Sequence, residues 1–385
     1  MKYLNKLFSS NRGRSSLVRI DKGMLHYIDR SDVFNSATLL SIVKYINSVR
    51  AKHSSKRIPI SFEFSNVNLK IQDKLAFVVF ECICYSLKEE GRQVYVYWNP
   101  VNQILTQGVN YSPLLLLNTT NQKTNDRFKK SFNNDIYQRH FRRLITEKDV
   151  ESNYLGVLLQ DISTFLGVFN LSEKRIDKIS TVIVELVGNA GEHGESECLI
   201  DIDITDDHTK KLYNVEQEGQ YYGINIAIVS FSNHLLGEAV SQKVLTNNFD
   251  NGRYYDLKMA YQNHLKKIED LDDNLYNEEY FWDIASLQDR ISGRKGTSSA
   301  GGTGLTVLIN SLQKEADNDT CYVISGEKII SFKKDFIERD SNGWLGFNRQ
   351  NDFFNHKPDS SILNSSSLWI PGTAFNLNFV MRKEK

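Results

Sequence analysis

The stretch that decides the fold is residues 176–194, IDKISTVIVELVGNAGEHG. At about 100° per residue, its apolar positions fall within one broad sector, which predicts a helix with one buried face. Glu185, Asn189 and His193 follow one another at intervals of four residues along one edge of that sector. The pattern therefore predicts a line of polar side chains at the border between the core and a cleft.

The chemistry of this polar edge suits a magnesium–nucleotide site. The amide oxygen of Asn189 is a hard ligand of the kind that Mg²⁺ prefers, and the carboxylate of Glu185 can orient or deprotonate an attacking water or hydroxyl. The alternative is a surface helix with polar residues at its margin, because such spacing is common. Gly188 and Gly191 favour the site, since a glycine inside a helix costs up to about 1 kcal/mol relative to alanine and suggests close approach of a ligand or backbone.

A glycine-rich loop, AGGTGLTVL at residues 300–308, leads directly into an apolar helix. Backbone N–H groups at a helix N-terminus form an anion site when glycine keeps side chains out of the way. A flexible linker is the alternative interpretation of the loop alone. Neither a Walker A motif nor a dinucleotide-binding fingerprint after a strand is present, so the phosphate site belongs to another fold.

Taken in order, ELVGNAGEHG, GGTGL (301–305) and PGTAFNLNF (371–379) resemble the N box, second glycine box and closing Gly-Thr strand of the GHKL superfamily of ATPases and kinases. The resemblance covers residues 150–385 and implies that ATP and Mg²⁺ are the cofactors. It implies that Asn189 is the magnesium ligand and that Glu185 is the general base or water-orienting group. The remaining residues of the implied ATP site are His193, Ser230, Ser232, Gly301, Gly302, Thr303, Gly304, Leu305 and Thr373.

The chain departs from the family at the first glycine box, where an Asp normally accepts a hydrogen bond from the adenine amino group. The strand INIAIVSFS offers Ser230 and Ser232 instead. A hydroxyl accepts such a bond without the charge-assisted strength of a carboxylate. The long segment 233–300 occupies the position of the family's ATP lid. Its basic residues Arg290, Arg294 and Lys295 either meet the γ-phosphate or form an exposed basic loop.

Residues 36–98 alternate helix, strand, helix and strand, which predicts a small α/β domain. The segment SFEFSNVNLKIQDKLAFVVFECICYSLKEEGRQVYVYW (61–98) resembles a STAS domain, a class that binds partner proteins in bacterial regulatory systems. The expected architecture is α/β, with an α+β two-layer sandwich. The STAS-like domain covers residues 1–105, a connector with some helix 106–150, and the ATP-binding domain 151–385.

Three functions follow from the resemblance. The helix pair before the N box most resembles the anti-sigma serine kinases, which act on STAS proteins, so we expect an ATP-binding regulator with slow hydrolysis or Ser/Thr kinase activity. The alternatives are a nucleotide-binding interaction module without turnover and an ATP-driven clamp that homodimerises. A histidine kinase is disfavoured, because His140, the nearest phosphoacceptor candidate, has no acidic neighbour. The expected partner is a protein, STAS-like or encoded nearby.

Bulk composition gives no reason to expect nucleic acid or membrane as a partner. Lys+Arg and Asp+Glu both number 47 in 385 residues, and no apolar run approaches the roughly 20 residues that cross a bilayer. The basic run RHFRR (139–143) is a local patch or, as the preferred interpretation, a solvated helix face. The four cysteines lack CxxC spacing and are expected to be buried free thiols in a reducing, cytoplasmic setting.

Overall fold

The computed structural model describes residues 4–15, 18–53, 55–71, 74–98, 109, 111–146, 148–149, 154–194, 197–208, 211–212, 215–216, 219–249, 252–268, 275–291, 304–315 and 321–384. Its helices are α1 (Leu4–Ser10), α2 (Ser36–Lys52), α3 (Lys74–Glu89), α4 (Gln122–Asn133), α5 (Tyr154–Leu166), α6 (Glu173–Gly194), α7 (Glu238–Leu245), α8 (Gly252–Ile268), α9 (Glu278–Ser286) and α10 (Gly304–Glu315).

The strands are β1 (Ile20–Asp21), β2 (Met24–Asp29), β3 (Val33–Phe34), β4 (Ile60–Phe64), β5 (Lys70–Ile71), β6 (Val94–Trp98), β7 (Asn134–Tyr137), β8 (His140–Ile145), β9 (Cys198–His208), β10 (Lys211–Leu212), β11 (Val215–Glu216), β12 (Tyr221–Ser230), β13 (Tyr322–Ser331) and β14 (Leu363–Arg382). The α/β class that the sequence predicts is confirmed.

The largest sheet has six antiparallel strands in the order β13-β14-β12-β9-β8-β7. The central strand β12 has the sequence YYGINIAIVS, and all of its residues are buried. The sequence of a strand is a continuous apolar run, without alternation, when both faces of its sheet are covered. The sequence of β12 therefore indicates a sheet with packing on both sides.

Helices cover both faces of this sheet. Ile226 and Ile228 of β12 pack in the core that includes residues of α5, α6 and α10, whereas Ala227 and Val229 pack in the core of α1, α2 and α3. The helices α2 and α3 contact β14 and β12, respectively. The six-stranded sheet thus lies between two layers of helices and not in the predicted two-layer sandwich, because the N-terminal helices cover the face that such a sandwich would leave to solvent.

A smaller sheet in the order β1-β2-β4-β6 forms the N-terminal part of the chain. The strands β2, β4 and β6 are parallel, with α2 and α3 as the connections that parallel strands require. The helix α2 begins where predicted because Asn35 caps it, accepting hydrogen bonds from the backbone N–H groups of Ala37 and Thr38. The helix, strand, helix, strand order predicted for residues 36–98 is present.

The region predicted as a connector contributes to both cores. Phe128 and Phe132 of α4 are buried in the N-terminal core, and β7 and β8 form one edge of the six-stranded sheet. The interpretation of RHFRR as a solvated helix face is wrong, because residues 140–145 form β8 and Arg142 is 1% exposed. Alternate side chains of a strand point to the same face of the sheet. Two basic residues that are separated by one position can therefore both be buried.

The prediction of buried free thiols is confirmed for all four cysteines, Cys82, Cys84, Cys198 and Cys321. None of the helices in the described part of the chain combines the length and hydropathy needed to cross a membrane.

Candidate functional site

The helix α6 holds Glu185 and Asn189 at the margin of the core. Val182 and Leu186 are buried on its inner face, while Glu185 and Asn189 are half-buried, which agrees with the predicted polar edge. The side chain of His193 lies outside the described residues. The carboxylate and the amide, one helical turn apart, lie on neighbouring positions of the same face and can act on one ligand.

Gly188 has a structural explanation that the sequence did not indicate. A Cβ atom at this position would lie 3.3 Å from Cδ1 of Leu155 in α5. The glycine therefore allows α5 and α6 to pack closely. Gly188 thus marks a contact between two helices and not the approach of a ligand.

Four adjacent strands present small polar or thiol residues at one end of the sheet, called here the Ser230 end. Ser230 of β12 is opposite Cys198 of β9 and Thr373 of β14, and Thr373 is also opposite Ser325 of β13. The helix α6 ends at Gly194, only four residues before Cys198. Because the helix rises about 1.5 Å per residue, Asn189 lies about 7.5 Å along its axis from Gly194. The C-terminal half of α6 thus lies near the Ser230 end.

Gly372 brings Thr373 beside Ser230 and Ser232. Its φ angle is +85°, and a Cβ atom there would lie 2.2 Å from the backbone O of Ser230 and 2.7 Å from the backbone N of Ser232. Only glycine adopts this conformation readily and leaves room for both atoms. Backbone packing at this end of the sheet therefore requires the glycine of the closing Gly-Thr pair.

Hydrogen bonds hold the backbone around Gly372. The hydroxyl of Ser325 donates to the Gly372 carbonyl at 3.0 Å and accepts from the N–H of Leu236 at 2.9 Å. The hydroxyl of Ser232 donates to the carbonyl of His234 at 2.7 Å and accepts from its N–H at 3.1 Å. Ser232 is 4% exposed, so its hydroxyl is committed to a local turn.

The helix α10 begins at Gly304, the last glycine of the predicted phosphate loop, and packs beside α6. Leu308 and Leu312 share the core of α6 on the same face of the sheet. Gly301, Gly302 and Thr303 lie outside the described residues, as does the side chain of Leu305. The predicted helix start is confirmed, and the loop before it stays a prediction.

Of the basic residues that the sequence places in the lid, only Arg290 lies within the described residues; Arg294 and Lys295 do not. The side chain of Arg290 is 72% exposed, and its Nε lies 3.6 Å from Oδ2 of Asp289. Arg290 has a left-handed backbone with φ of 56°. This exposure agrees with the alternative of an exposed basic loop for Arg290.

A second group of ionisable residues, which the sequence analysis missed, is buried between α3 and the sheet. The buried ion cluster consists of Lys74, Glu81, His140, Arg142, Asp201 and Asp203, all of them at most 6% exposed. The signal for it was the alternation of Asp201 and Asp203 inside the apolar strand LIDIDI. Charged residues are almost never fully buried unless they are paired, so this pattern predicts cationic partners.

Three members of the buried ion cluster have the chemistry of a metal site. Ligand atoms of His140, Asp201 and Asp203 all lie within 4.8 Å of one another. However, Nζ of Lys74 contacts both carboxylates, and the guanidinium of Arg142 contacts Asp201. A divalent cation would have to displace or approach these fixed positive charges. We therefore interpret the group as an ion-pair cluster in which Lys74 takes the place of a metal.

The pKa of Asp201 agrees with this interpretation. Burial alone would raise the pKa of Asp201, but Arg142 and Lys74 hold it well below its usual range. Burial raises the pKa of Asp203, against the attraction of Lys74. The Nε2 atom of His140 lies 3.0 Å from Oδ2 of Asp201. His140 is fully buried, so it is not placed to accept a phosphate from a bound nucleotide.

Comparison with known proteins gives no match to any family model, curated protein or solved structure.

Proposed function

We propose that the chain is an ATP-binding regulatory protein of the GHKL type, with a STAS-like N-terminal domain. In this proposal the nucleotide state controls binding of a protein partner, and Glu185 supports Mg²⁺-dependent ATP hydrolysis or Ser/Thr kinase activity. The three sequence motifs, the half-buried edge of α6 and the start of α10 at Gly304 support it.

One observation carries the proposal above the others. The Gly-Thr pair of the third motif lies against Ser230 and Ser232, through the register of β12 with β14 and the close contact of Gly372. The first motif ends four residues before Cys198, which is opposite Ser230 in the same sheet. Motifs that are distant in sequence and share one end of a sheet are expected of a common ligand site.

The residues fit a magnesium–nucleotide complex. Asn189 would supply a neutral oxygen ligand to a hard cation that keeps several of its waters, and Glu185 lies one turn away. Bound Mg²⁺ would neutralise charge on the phosphates. The carboxylate of Glu185 would orient the attacking water or hydroxyl and accept its proton. The first turn of α10 would offer backbone N–H groups to a phosphate.

Calorimetry and a turnover assay test this proposal. We expect wild type to bind ATP with Mg²⁺, and Glu185→Ala to retain binding while turnover falls by about 10²–10⁴-fold, the contribution typical of a general base. Asn189→Ala is expected to weaken the dependence of binding on Mg²⁺. Asp177→Ala, an exposed position on the same helix, is the matched control and should change neither. Turnover by Glu185→Ala at the wild-type rate would refute the catalytic role, and a folded wild type that binds no nucleotide would refute the proposal.

A nucleotide-binding module without turnover is the second candidate. It is favoured by the serine in place of the family's Asp, because the hydroxyl of Ser232 is engaged with His234 on both its donor and acceptor sides. The hydroxyl of Ser232 therefore keeps one acceptor lone pair for the adenine amino group and lacks the charge of a carboxylate. Binding of ATP without formation of ADP or phosphoprotein in the same assays would select this candidate.

The packing of the two cores suggests how a nucleotide could influence a partner. Val229 and Phe231 flank Ser230 in the chain and lie in the core shared with α1, α2 and α3. A conformational change at the Ser230 end would thus alter the packing of the helices in the STAS-like region. We expect ATP to alter amide hydrogen exchange in α2 and α3, and identical exchange with and without ATP would refute this coupling.

A further inference from the structure

Two arginines from distant segments converge on the first turn of α10. Arg253 comes from α8, and Arg339 follows β13 in the loop that leads to β14. The hydroxyl of Thr306, in the first turn of α10, donates to Oδ1 of Asp289 at 2.5 Å and lies 3.5 Å from Nη2 of Arg339. We call Arg253, Asp289, Thr306 and Arg339 the arginine cluster.

Arg253 supports the loop that carries Arg339. Its Nη1 and Nη2 atoms donate to the carbonyls of Asn342 and Gly343 at 3.0 and 3.1 Å, and its Nε atom donates to the carbonyl of Asp289 at 2.5 Å. The guanidinium also lies 4.0 Å from the centre of the Trp344 ring. These contacts orient the loop and leave Arg253 little freedom to bind a ligand.

Arg339 is held less completely. Its Nη1 atom donates to the carbonyl of Gly343 at 2.8 Å, while its Nε atom is buried and has no hydrogen-bond partner among the described residues. Among the residues that the structure describes, Arg339 forms no ion pair with a carboxylate. A buried N–H donor without a hydrogen-bond partner is costly. An anionic ligand would supply the missing acceptor.

The surroundings also favour an anion. The first turn of a helix carries backbone N–H groups without intrahelical partners and the positive end of the helix dipole. Burial lowers the pKa of Arg339, and Asp289 opposes this while Arg253 adds to it. The nearby carboxylate of Asp289 is already engaged with Thr306. This hydrogen bond does not neutralise Asp289, so the free N–H groups and the dipole of α10 are what favour an anion here.

We infer that Arg339 binds the terminal phosphate of the nucleotide and so couples the loop between β13 and β14 to the nucleotide state. The inference rests on the proposed function, and it assigns to that site a residue outside all three motifs. A guanidinium donates two parallel hydrogen bonds to phosphate oxygens, a geometry that lysine lacks. Arg253 and Asp289 act as positioning residues for Arg339 and for Thr306.

The test compares Arg339→Gln with Arg349→Gln, an exposed arginine in the same loop, by calorimetry with ATP, ADP and adenosine in the presence of Mg²⁺. Loss of charge-assisted hydrogen bonds predicts that Arg339→Gln weakens ATP binding by about tenfold to a hundredfold. ADP and adenosine are expected to bind as they do to wild type, and Arg349→Gln should bind all three normally. Arg339→Lys keeps the charge and is expected to bind ATP with intermediate affinity.

Unchanged ATP affinity in Arg339→Gln would overturn the inference. An equal loss for ATP, ADP and adenosine would also overturn it, because that pattern reports general damage to the site. If Arg339→Gln fails to fold, Arg339→Lys decides by the same ATP-selective loss. If wild type binds no ATP, the proposed function fails separately. Tripolyphosphate then tests the arginine cluster itself: binding to wild type that Arg339→Gln loses supports an anion site, and no binding refutes it.

Discussion

Gly372→Ala tests whether the closing strand depends on close backbone contact at the Ser230 end. The new Cβ atom would lie 2.2 Å from the backbone O of Ser230 and 2.7 Å from the backbone N of Ser232. Neither backbone atom can rotate away as the end of a side chain could. We therefore expect β14 to shift away from the end of β12, which would separate Thr373 from Ser230.

The expected cost has two parts that a control separates. A residue with a Cβ atom in the left-handed region costs about 1–2 kcal/mol, and the overpacking adds about 1–3 kcal/mol. Gly91 has φ of +84°, nearly the +85° of Gly372, but a Cβ atom there meets nothing within 4 Å. Gly91→Ala should therefore lose only the conformational part. The difference between the two variants measures the contact at the Ser230 end.

Urea unfolding followed by circular dichroism provides the measurement, with the stability change taken from the midpoint when the slope m is unchanged. We expect Gly372→Ala to lose about 1–3 kcal/mol more than Gly91→Ala. The same variant is expected to bind ATP more weakly than Gly91→Ala. Equal stability losses in the two variants would refute the steric argument, and unchanged ATP binding despite the loss of stability would separate Gly372 from the site.

Two further predictions concern buried charge. Burial raises the pKa of Asp283 to about 7, against the hydrogen bond from the N–H of Gly237. The protonated form of Asp283 therefore makes its full contribution to the unfolding free energy below about pH 4. That contribution, about 4 kcal/mol, is lost as the pH rises to 7. Asp283→Asn should flatten the unfolding free energy between pH 4 and 8, and a profile parallel to that of wild type would contradict this. Lys74→Met removes the cation that pairs with Asp203 and one of the two that pair with Asp201, and should cost about 3–5 kcal/mol. Arg139→Met removes an ion pair from a side chain that is 48% exposed and should cost less than about 1 kcal/mol; similar losses in both variants would contradict the buried ion cluster as described.

The elements that the sequence predicted well are those encoded by local periodicity. The apolar spacing in residues 176–194 predicted α6 and its half-buried edge at Glu185 and Asn189, and the glycine before an apolar run predicted the start of α10. A helix repeats every 3.6 residues, so its buried face is readable without knowledge of what covers it.

Where the partner lies far away in the chain, local patterns were ambiguous. The run RHFRR suggested a solvated face, yet Arg142 pairs with Glu81 and Asp201. The helical glycine Gly188 suggested a ligand, yet it faces Leu155. Both residues are explained by a neighbour that only the packing of helices on the sheet brings close.

The sequence by itself determined α6, the start of α10, the alternating helices and strands of residues 36–98 and the order of three motifs along the chain. Tertiary structure alone decided that Thr373 is opposite Ser230, that α1 to α3 cover the second face of the sheet, and that Arg339 reaches the first turn of α10. The physical reason is that periodicity records which side of an element is buried, whereas strand register and layer packing depend on contacts between residues that are remote in sequence.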